Sequence, residues 1–293
     1  MNDNDLEEIL VETPDKPKRG QRATPRSSRA PIFIVLGCLL LLCLCCLLPL
    51  CLLGMGGLTI GSAAAVVMNN EATESGSEQV AVNADEPIVL TVENSVGQIT
   101  IQPGSSEEVV VEYTKRAYGW TKDDANAQLK TMDVKVDQIN DRSVRVNVEY
   151  SKNDFDFGLN AVDLTITVPR DVALIVDNNT GDIQVEGVRA RSLKLESNTG
   201  EITFDGDLAA SGDFSIRSNT GEITVRLPQD AYVQVSATTD VGEVNVSGFD
   251  VSNDESRRDG PGVTFSGTLG SGPETPPTLN LHLSVGSISI RAQ

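Results

Sequence analysis

Four carboxylates stand at matched positions in the second half of this 293-residue chain, and their spacing is what first invites chemistry. Asp182, Glu201, Glu222 and Glu243 each directly follow a glycine, and the glycines Gly181, Gly200, Gly221 and Gly242 are 19, 21 and 21 residues apart. Acids brought close together serve a retaining glycosidase as acid and nucleophile, about 5 Å apart. Bridged by a divalent ion such as Ca²⁺, they form a cation site instead. Catalysis needs two carboxyls in unlike surroundings, whereas these four are equivalent, so no catalytic residue is assigned. The expectation is an outward-facing ladder of Asp182, Glu201, Glu222 and Glu243, its like charges either solvated or bridged by Ca²⁺.

The other reactive side chains are isolated. His282 is the single histidine, flanked by Leu281 and Leu283, and although Ser284 shares its strand face no acid is placed to orient it. All five cysteines (Cys38, Cys43, Cys45, Cys46, Cys51) fall in an uncharged stretch, residues 31–68. Zinc ligation by Cys and His, and Cys-His nucleophilic chemistry, are thereby excluded for the rest of the chain. Asn-Thr-Gly resembles the Asp-Thr-Gly of aspartic proteases, but an amide cannot take the acid role. No phosphate-binding glycine loop precedes a helix, and no cofactor is implied beyond Ca²⁺. Tyr118 and Trp120, around Gly119, are either a ligand platform or a cap on the open end of a core.

What positions the acids is a repeat. Asn179-Thr180-Gly181-Asp182-Ile183, Asn198-Thr199-Gly200-Glu201-Ile202 and Asn219-Thr220-Gly221-Glu222-Ile223 are close copies, and Asp240-Val241-Gly242-Glu243-Val244 is a looser one. Apolar residues stand seven and five positions before each glycine, as in Leu174 and Val176 or Phe214 and Ile216, and two and four after it, as in Ile183 and Val185. Both flanks alternate with period two, which describes strands buried on one face, and the Asn-x-Gly between them reads as a corner. The same frame fits Leu90, Val92, Gly97, Ile99 and Ile101, and again Leu279, Leu281, Gly286, Ile288 and Ile290. A second glycine six residues on, in Gly187, Gly206 and Gly248, marks the opposite corner. The predicted fold is an all-β β-solenoid of stacked strand repeats of about 20 residues, with an ordinary sandwich as the alternative.

Between the outlying and the regular copies, residues 105–170 depart from the frame. Strands are expected at 109–113, near Val134, at 144–148 and at 162–168, with one short helix at 121–130 capped by Thr121 and Asp124. Residues 249–278, rich in Gly, Pro, Ser and Asp, are expected to form a long exposed loop.

Residues 31–68 hold no charge, and Ile32 to Leu53 would cover about 33 Å as a helix, close to the ~30 Å hydrocarbon core. Six basic residues precede this stretch and the first one after it is Lys115, a distribution that places the N-terminus inside and the repeats outside. Residues 1–30 are read as a disordered cytoplasmic tail, 31–68 as a transmembrane helix with an apolar extension (core span 32–53), 69–86 as an acidic linker and 87–293 as the extracytoplasmic β-repeat domain. A cleavable signal peptide and a hairpin turning at 54–57 are the competing topologies. The net charge of −19 belongs entirely to the part after the uncharged stretch, since the six acids and six bases of residues 1–30 cancel. Nucleic acid is excluded as a partner on that balance.

Leu164-Thr165-Ile166-Thr167-Val168-Pro169, the three Asn-Thr-Gly-[Asp/Glu]-Ile copies and Val285-Gly286-Ser287-Ile288-Ser289-Ile290 resemble a bacterial putative-adhesin family with β-strand repeats, a domain of unknown function. The likeness covers roughly residues 85–293. It implies a cell-surface β-solenoid, often on a single-pass membrane anchor, and transfers no catalytic or binding residue. The reading is thus of a plasma-membrane protein, N-terminus cytoplasmic and C-terminal domain extracytoplasmic, whose solenoid is a non-enzymatic adhesion or interaction module for an unidentified protein or envelope ligand. Its alternatives are a carbohydrate-active β-helix enzyme using paired carboxylates and an envelope sensor signalling through the short tail.

Overall fold

The computed structural model describes residues 70–293 apart from 84–85, 106, 152–159 and 273–274. The alternating segments form strands that bend at the motif glycines. β2 (Ile88–Val96) and β3 (Ile99–Pro103) flank Gly97, while β8 (Asp171–Thr180) and the start of β9 (Ile183–Thr199) flank Gly181. The end of β9 and β10 (Ile202–Leu208) flank Gly200. Three strands carry their glycine inside them: β11 (Asp213–Leu227) Gly221, β12 (Val233–Ser247) Gly242 and β15 (Thr278–Ala292) Gly286. Each bent unit is a rung, and equivalent residues of successive rungs pair in parallel, Leu174 with Leu193 and Ile202 with Ile223, for example. The inward positions close into a dry core in which Leu90, Ile101, Leu174, Val185, Leu195, Phe204, Ile216 and Ile290 have no more than 1 % of their surface exposed. Burying each such side chain stabilises the fold by about 1.5–3 kcal/mol.

The corner glycines form a column. Their φ angles lie between 123° and 148°, a conformation that L residues rarely adopt. A Cβ on Gly181 would overlap the carbonyl oxygen of Gly97, and the same collision recurs from Gly200 onto Gly181, Gly221 onto Gly200, Gly286 onto Gly221 and Gly242 onto Gly286. Backbone bonds tie the corners together, from Gly97 N–H to the Thr180 carbonyl (2.9 Å) and from Gly200 N–H to that of Thr220 (3.0 Å).

The spatial order departs from the chain order twice. Gly97 and Gly181 are 84 residues apart in sequence yet adjacent in the stack, with β2 on β8 and β3 on β9. The intervening chain is stacked beyond the Gly97 rung. β6 (Ser143–Tyr150) and β7 (Ala161–Val168) lie parallel to β2 and β3, and β5 (Met132–Asn140) and β4 (Glu108–Tyr118) run antiparallel outside them. The turn from β4 to β5 is made by α1 (Lys122–Leu129), with Thr121 and Asp124 closing a capping box. At the other end β15, the last strand, pairs with β11 on one side and β12 on the other. The Gly286 rung therefore sits between the Gly221 and Gly242 rungs.

Three expectations need correction. Residues 69–86 contain a strand, β1 (Glu71–Ala81), antiparallel to β4; its polar alternation resembled a linker because it is an exposed edge. Residues 249–278 contain an antiparallel hairpin, β13 (Val251–Asp259) and β14 (Gly262–Leu269), laid on β12. There the buried alternation Phe265, Gly267, Leu269 is interrupted by a glycine and hidden among polar residues. The third is the single transmembrane helix of the fold-class prediction. Among the described residues no helix is long and apolar enough to cross a membrane, and α1, at eight residues, reaches only about 12 Å of the ~30 Å required. The stretch on which that span was expected, 31–68 with its core 32–53, and the tail before it lie outside the described residues.

Gly221→Ala should destabilise the domain by at least about 3 kcal/mol, because strain and a backbone overlap coincide there. Gly260→Ala, at φ 64° with nothing within 4 Å of its would-be Cβ, should cost about 1 kcal/mol. Urea titrations of the two variants read the contrast. Deleting residues 278–293 removes an interior rung, and the truncated chain should lose its cooperative unfolding transition altogether.

Candidate functional site

The stack separates the motif residues by role. Asn179, Asn198 and Asn219 form an exposed amide ladder, Asn198 Nδ2 donating to Asn179 Oδ1 (3.2 Å) and Asn219 Nδ2 to Asn198 Oδ1 (2.6 Å). Asp182, Glu201 and Glu222 do fall in one outward column, but Ser287 of the inserted rung lies in register between Glu222 and Glu243. The four-acid ladder is thus three acids and a separate fourth. Asp182 Oδ1 accepts from the Glu201 N–H (2.8 Å), Glu201 Oε1 from Thr203 Oγ1 (2.9 Å) and Glu222 Oε1 from Thr224 Oγ1 (3.3 Å). These carboxylates hold neighbouring backbone and hydroxyl groups. Among the described residues no group of three or more His, Cys, Asp or Glu is placed to hold a metal ion.

A second acidic column on the opposite flank of the corner escaped the sequence reading. Glu93, Asp177 and Glu196, four positions before their glycines, are in register in consecutive rungs. Glu196 meets Lys194 at 2.7 Å and Arg217 at 3.8 Å. The frame that located the first column contains this one equally.

Polar residues also occupy an inward position, three before the glycine: Asn94, Asn178, Ser197, Ser218 and Thr239 are all buried, and only the inserted rung has an apolar residue there, Leu283. Asn178 Nδ2 donates to the carbonyls of Gly97 (2.9 Å) and Gly181 (3.1 Å), and Asn94 Nδ2 to that of Val162 (3.0 Å). Thr239 Oγ1 reaches the Gly286 carbonyl at 3.4 Å. These side chains satisfy carbonyls at the corners, which are otherwise costly to bury. Ser197 Oγ, by contrast, is buried without a hydrogen-bond partner.

The aromatic pair lies at the β4–α1 junction. Tyr118 ends β4 opposite Glu71, and burial first, then the Glu71 charge, pushes its phenol above the ordinary range. Trp120 precedes the N-cap, is 45 % exposed, and its carbonyl accepts from Asn70 Nδ2 at 2.9 Å. His282 is half-buried on the outward side of β15, in register with Arg217 and Thr238 and with no carboxylate.

A cavity opens where the chain crosses between rungs. Residues 207–210, 227–233 and, from the following loop, Ser271, Gly272, Thr275 and Pro277 meet around a cavity of about 430 Å³ whose walls include Arg189, Asp207, Pro228, Asp230 and Tyr232. Arg189 bridges Asp207 at 3.6 Å and Asp171 at 3.9 Å. Tyr232 also lines a neighbouring cavity of about 540 Å³. Nothing in the repeat signals this site, because its walls are loop residues collected by the displaced rung order.

Residues 86–223 match the model of the Toastrack family, DUF4097. Among solved structures, a putative cell adhesion protein from Clostridium sporogenes is similar at 16 % identity and a TM-score of 0.52, over 75 % of this chain and 100 % of that one. A putative adhesin from Bacteroides fragilis is similar at 13 % identity and a TM-score of 0.29, over 74 % of this chain and 97 % of that one. No curated protein matches the chain. The resemblance drawn from the strand-repeat residues is to the same kind of protein.

Asn178→Ala should cost about 1–3 kcal/mol by stripping two corner carbonyls of their donor, while Ser197→Ala should be neutral or stabilising; denaturant midpoints distinguish the two. Tyr118 gives a pH test. With its folded pKa raised, its contribution is complete below the ordinary tyrosine range and is lost as pH climbs through the raised value. Thermal melts across that alkaline window should show a fall in stability that Tyr118→Phe lacks.

Proposed function

We propose that this chain, whose residues 86–223 match the Toastrack family model, acts as a non-catalytic adhesion or interaction module displayed at the cell surface. The observation that carries the reading is the use made of the motif acids. Asp182 accepts from the backbone of the next rung, and Glu201 and Glu222 each accept from the threonine two residues on, so every one of the three is engaged in a local structural bond. Acids at equivalent positions, each engaged in a local structural bond, do not make the acid and nucleophile pair that glycoside hydrolysis requires. The rod is consequently a scaffold whose free surfaces and crossover loops are available to a partner.

Further support comes from the surface itself. The part of the chain after residue 68 carries the whole net charge of −19 and no cysteine, so its solubility rests on acidic side chains and its stability on core burial and ladder bonds. The similar solved structure is named for cell adhesion, and its fold is shared at a TM-score of 0.52.

Beads coated with the full chain should retain an envelope fraction from the producing cells, and Glu201→Gln should retain it equally well, whereas Gly221→Ala should lose it with the fold. Proteolysis of intact cells should reach an epitope placed after Gln293. Turnover of envelope polysaccharide that disappears in both Glu201→Gln and Glu222→Gln would overturn the non-catalytic reading.

A further inference from the structure

We propose that β13 pairs with β13 of a second copy of this chain, joining two solenoids tail to tail. The inference rests on the interaction-module reading and names a partner for it. β13 ends the strand order of the sheet and, among the described residues, forms ladder pairs with β14 on one side only. Every residue from Val251 to Arg258 is exposed. Such an edge offers a row of unpaired N–H and C=O groups to another strand, and charged side chains commonly guard it. Here the charges are arranged so that they attract their own copy.

Asp254-Glu255-Ser256-Arg257-Arg258 runs from acid to base about a central serine. An antiparallel strand of the same sequence, centred on Ser256, sets Glu255 opposite Arg257 of the second copy and Arg257 opposite its Glu255. Asp254 and Arg258 are matched in the same way, where the bulge between Ser252 and Glu255 ends the regular ladder. Residues directly opposed in an antiparallel pair share a face, so opposite charges there attract and like charges repel.

The opposite end of the strand order lacks this symmetry. β1 carries Glu71, Glu74 and Glu78 without a basic residue, so pairing with itself sets acid toward acid. A head-to-tail joint of β13 onto β5 of a second copy, kept in the frame of the stack, would oppose Arg257 to Lys135 and Glu255 to Asp137. Like charges thus disfavour an open filament in that register, whereas the two-fold pairing closes after two copies.

Room for the joint comes from the rung order. β14 covers only Val233–Thr239 of β12, and from Val241 to Ser247 β12 forms ladder pairs with β15 alone. The hairpin therefore projects two strands beyond the last rung on one side, where its free edge can meet a copy. β1, through which the chain enters the described domain, lies at the far end of the strand order from β13. Joined at β13, two chains hold their β1 strands at opposite ends, the arrangement of copies reaching from two facing surfaces. A single strand edge is a small interface, so one pair is weak and adhesion comes from many acting together.

The test coats beads with the full chain, attached through its N-terminus, and reads clumping by light scattering. Wild-type beads should clump, and high salt should disperse them. Beads carrying Glu255→Arg, which sets arginine against arginine, or Arg257→Glu, which sets glutamate against glutamate, should each clump at least tenfold less. Mixing the two variant populations should restore clumping, since each supplies the charge the other lacks, and restoration also shows that both variants fold. Glu78→Arg on β1 should change nothing. Dispersed wild-type beads, clumping of either variant alone at wild-type strength, or failure of the mixture to clump would overturn the proposal. Envelope retention by beads that do not clump would overturn the pairing alone, whereas beads that neither clump nor retain envelope would overturn the interaction reading with it.

Discussion

The fold depends on one steric condition: at every corner the backbone of one rung lies against the carbonyl of the rung before, with no room for a Cβ between them. The column Gly97, Gly181, Gly200, Gly221, Gly286, Gly242 meets that condition, each at a positive φ that its neighbours also need. With the corners in contact, the flanking strands on both sides come into hydrogen-bonding register at once. The apolar residues at fixed offsets from the glycine then stack upon their equivalents, and the core follows without further specification. The buried polar position three residues before the glycine serves the same corner, since Asn94, Asn178 and Thr239 each bond a carbonyl there.

The condition says nothing about which rung follows which. Every rung has the same offsets, so any two can be neighbours as far as glycine, strand and core are concerned. The structure uses that freedom twice, inserting the last strand between β11 and β12 and laying β4, β5, β6 and β7 as a cap beyond the Gly97 rung. The insertion has consequences for the surface. Ser287 parts Glu222 from Glu243, relieving a like-charge contact, and the crossings it demands gather Arg189, Asp207, Asp230 and Tyr232 around a cavity.

Much of the architecture was legible because each rung is a local pattern. The positions before and after the glycine read directly as buried strand faces, and Thr121 with Asp124 marked the start of α1. The edge strands were illegible for a physical reason: β1 and β13 bury little, so their sequences are polar and resemble linkers. The acids at 182, 201 and 222 were read correctly as outward, but hydrogen bonds to the next backbone and to threonine hydroxyls are tertiary facts. Tyr118 and Trp120 stood out by composition, whereas Tyr232 did not, because its setting arises from three loops distant in sequence.

By itself, the sequence determined the rung: where it bends, which side chains it buries, and that its corner must be glycine. Those are properties of residues close together in the chain, and periodicity records them. The tertiary structure alone decided the order of the rungs, the separation of Glu243 from the other acids, and the cavity at Tyr232. Each depends on contacts between segments that share one local pattern, and identical patterns carry no address to distinguish one neighbour from another.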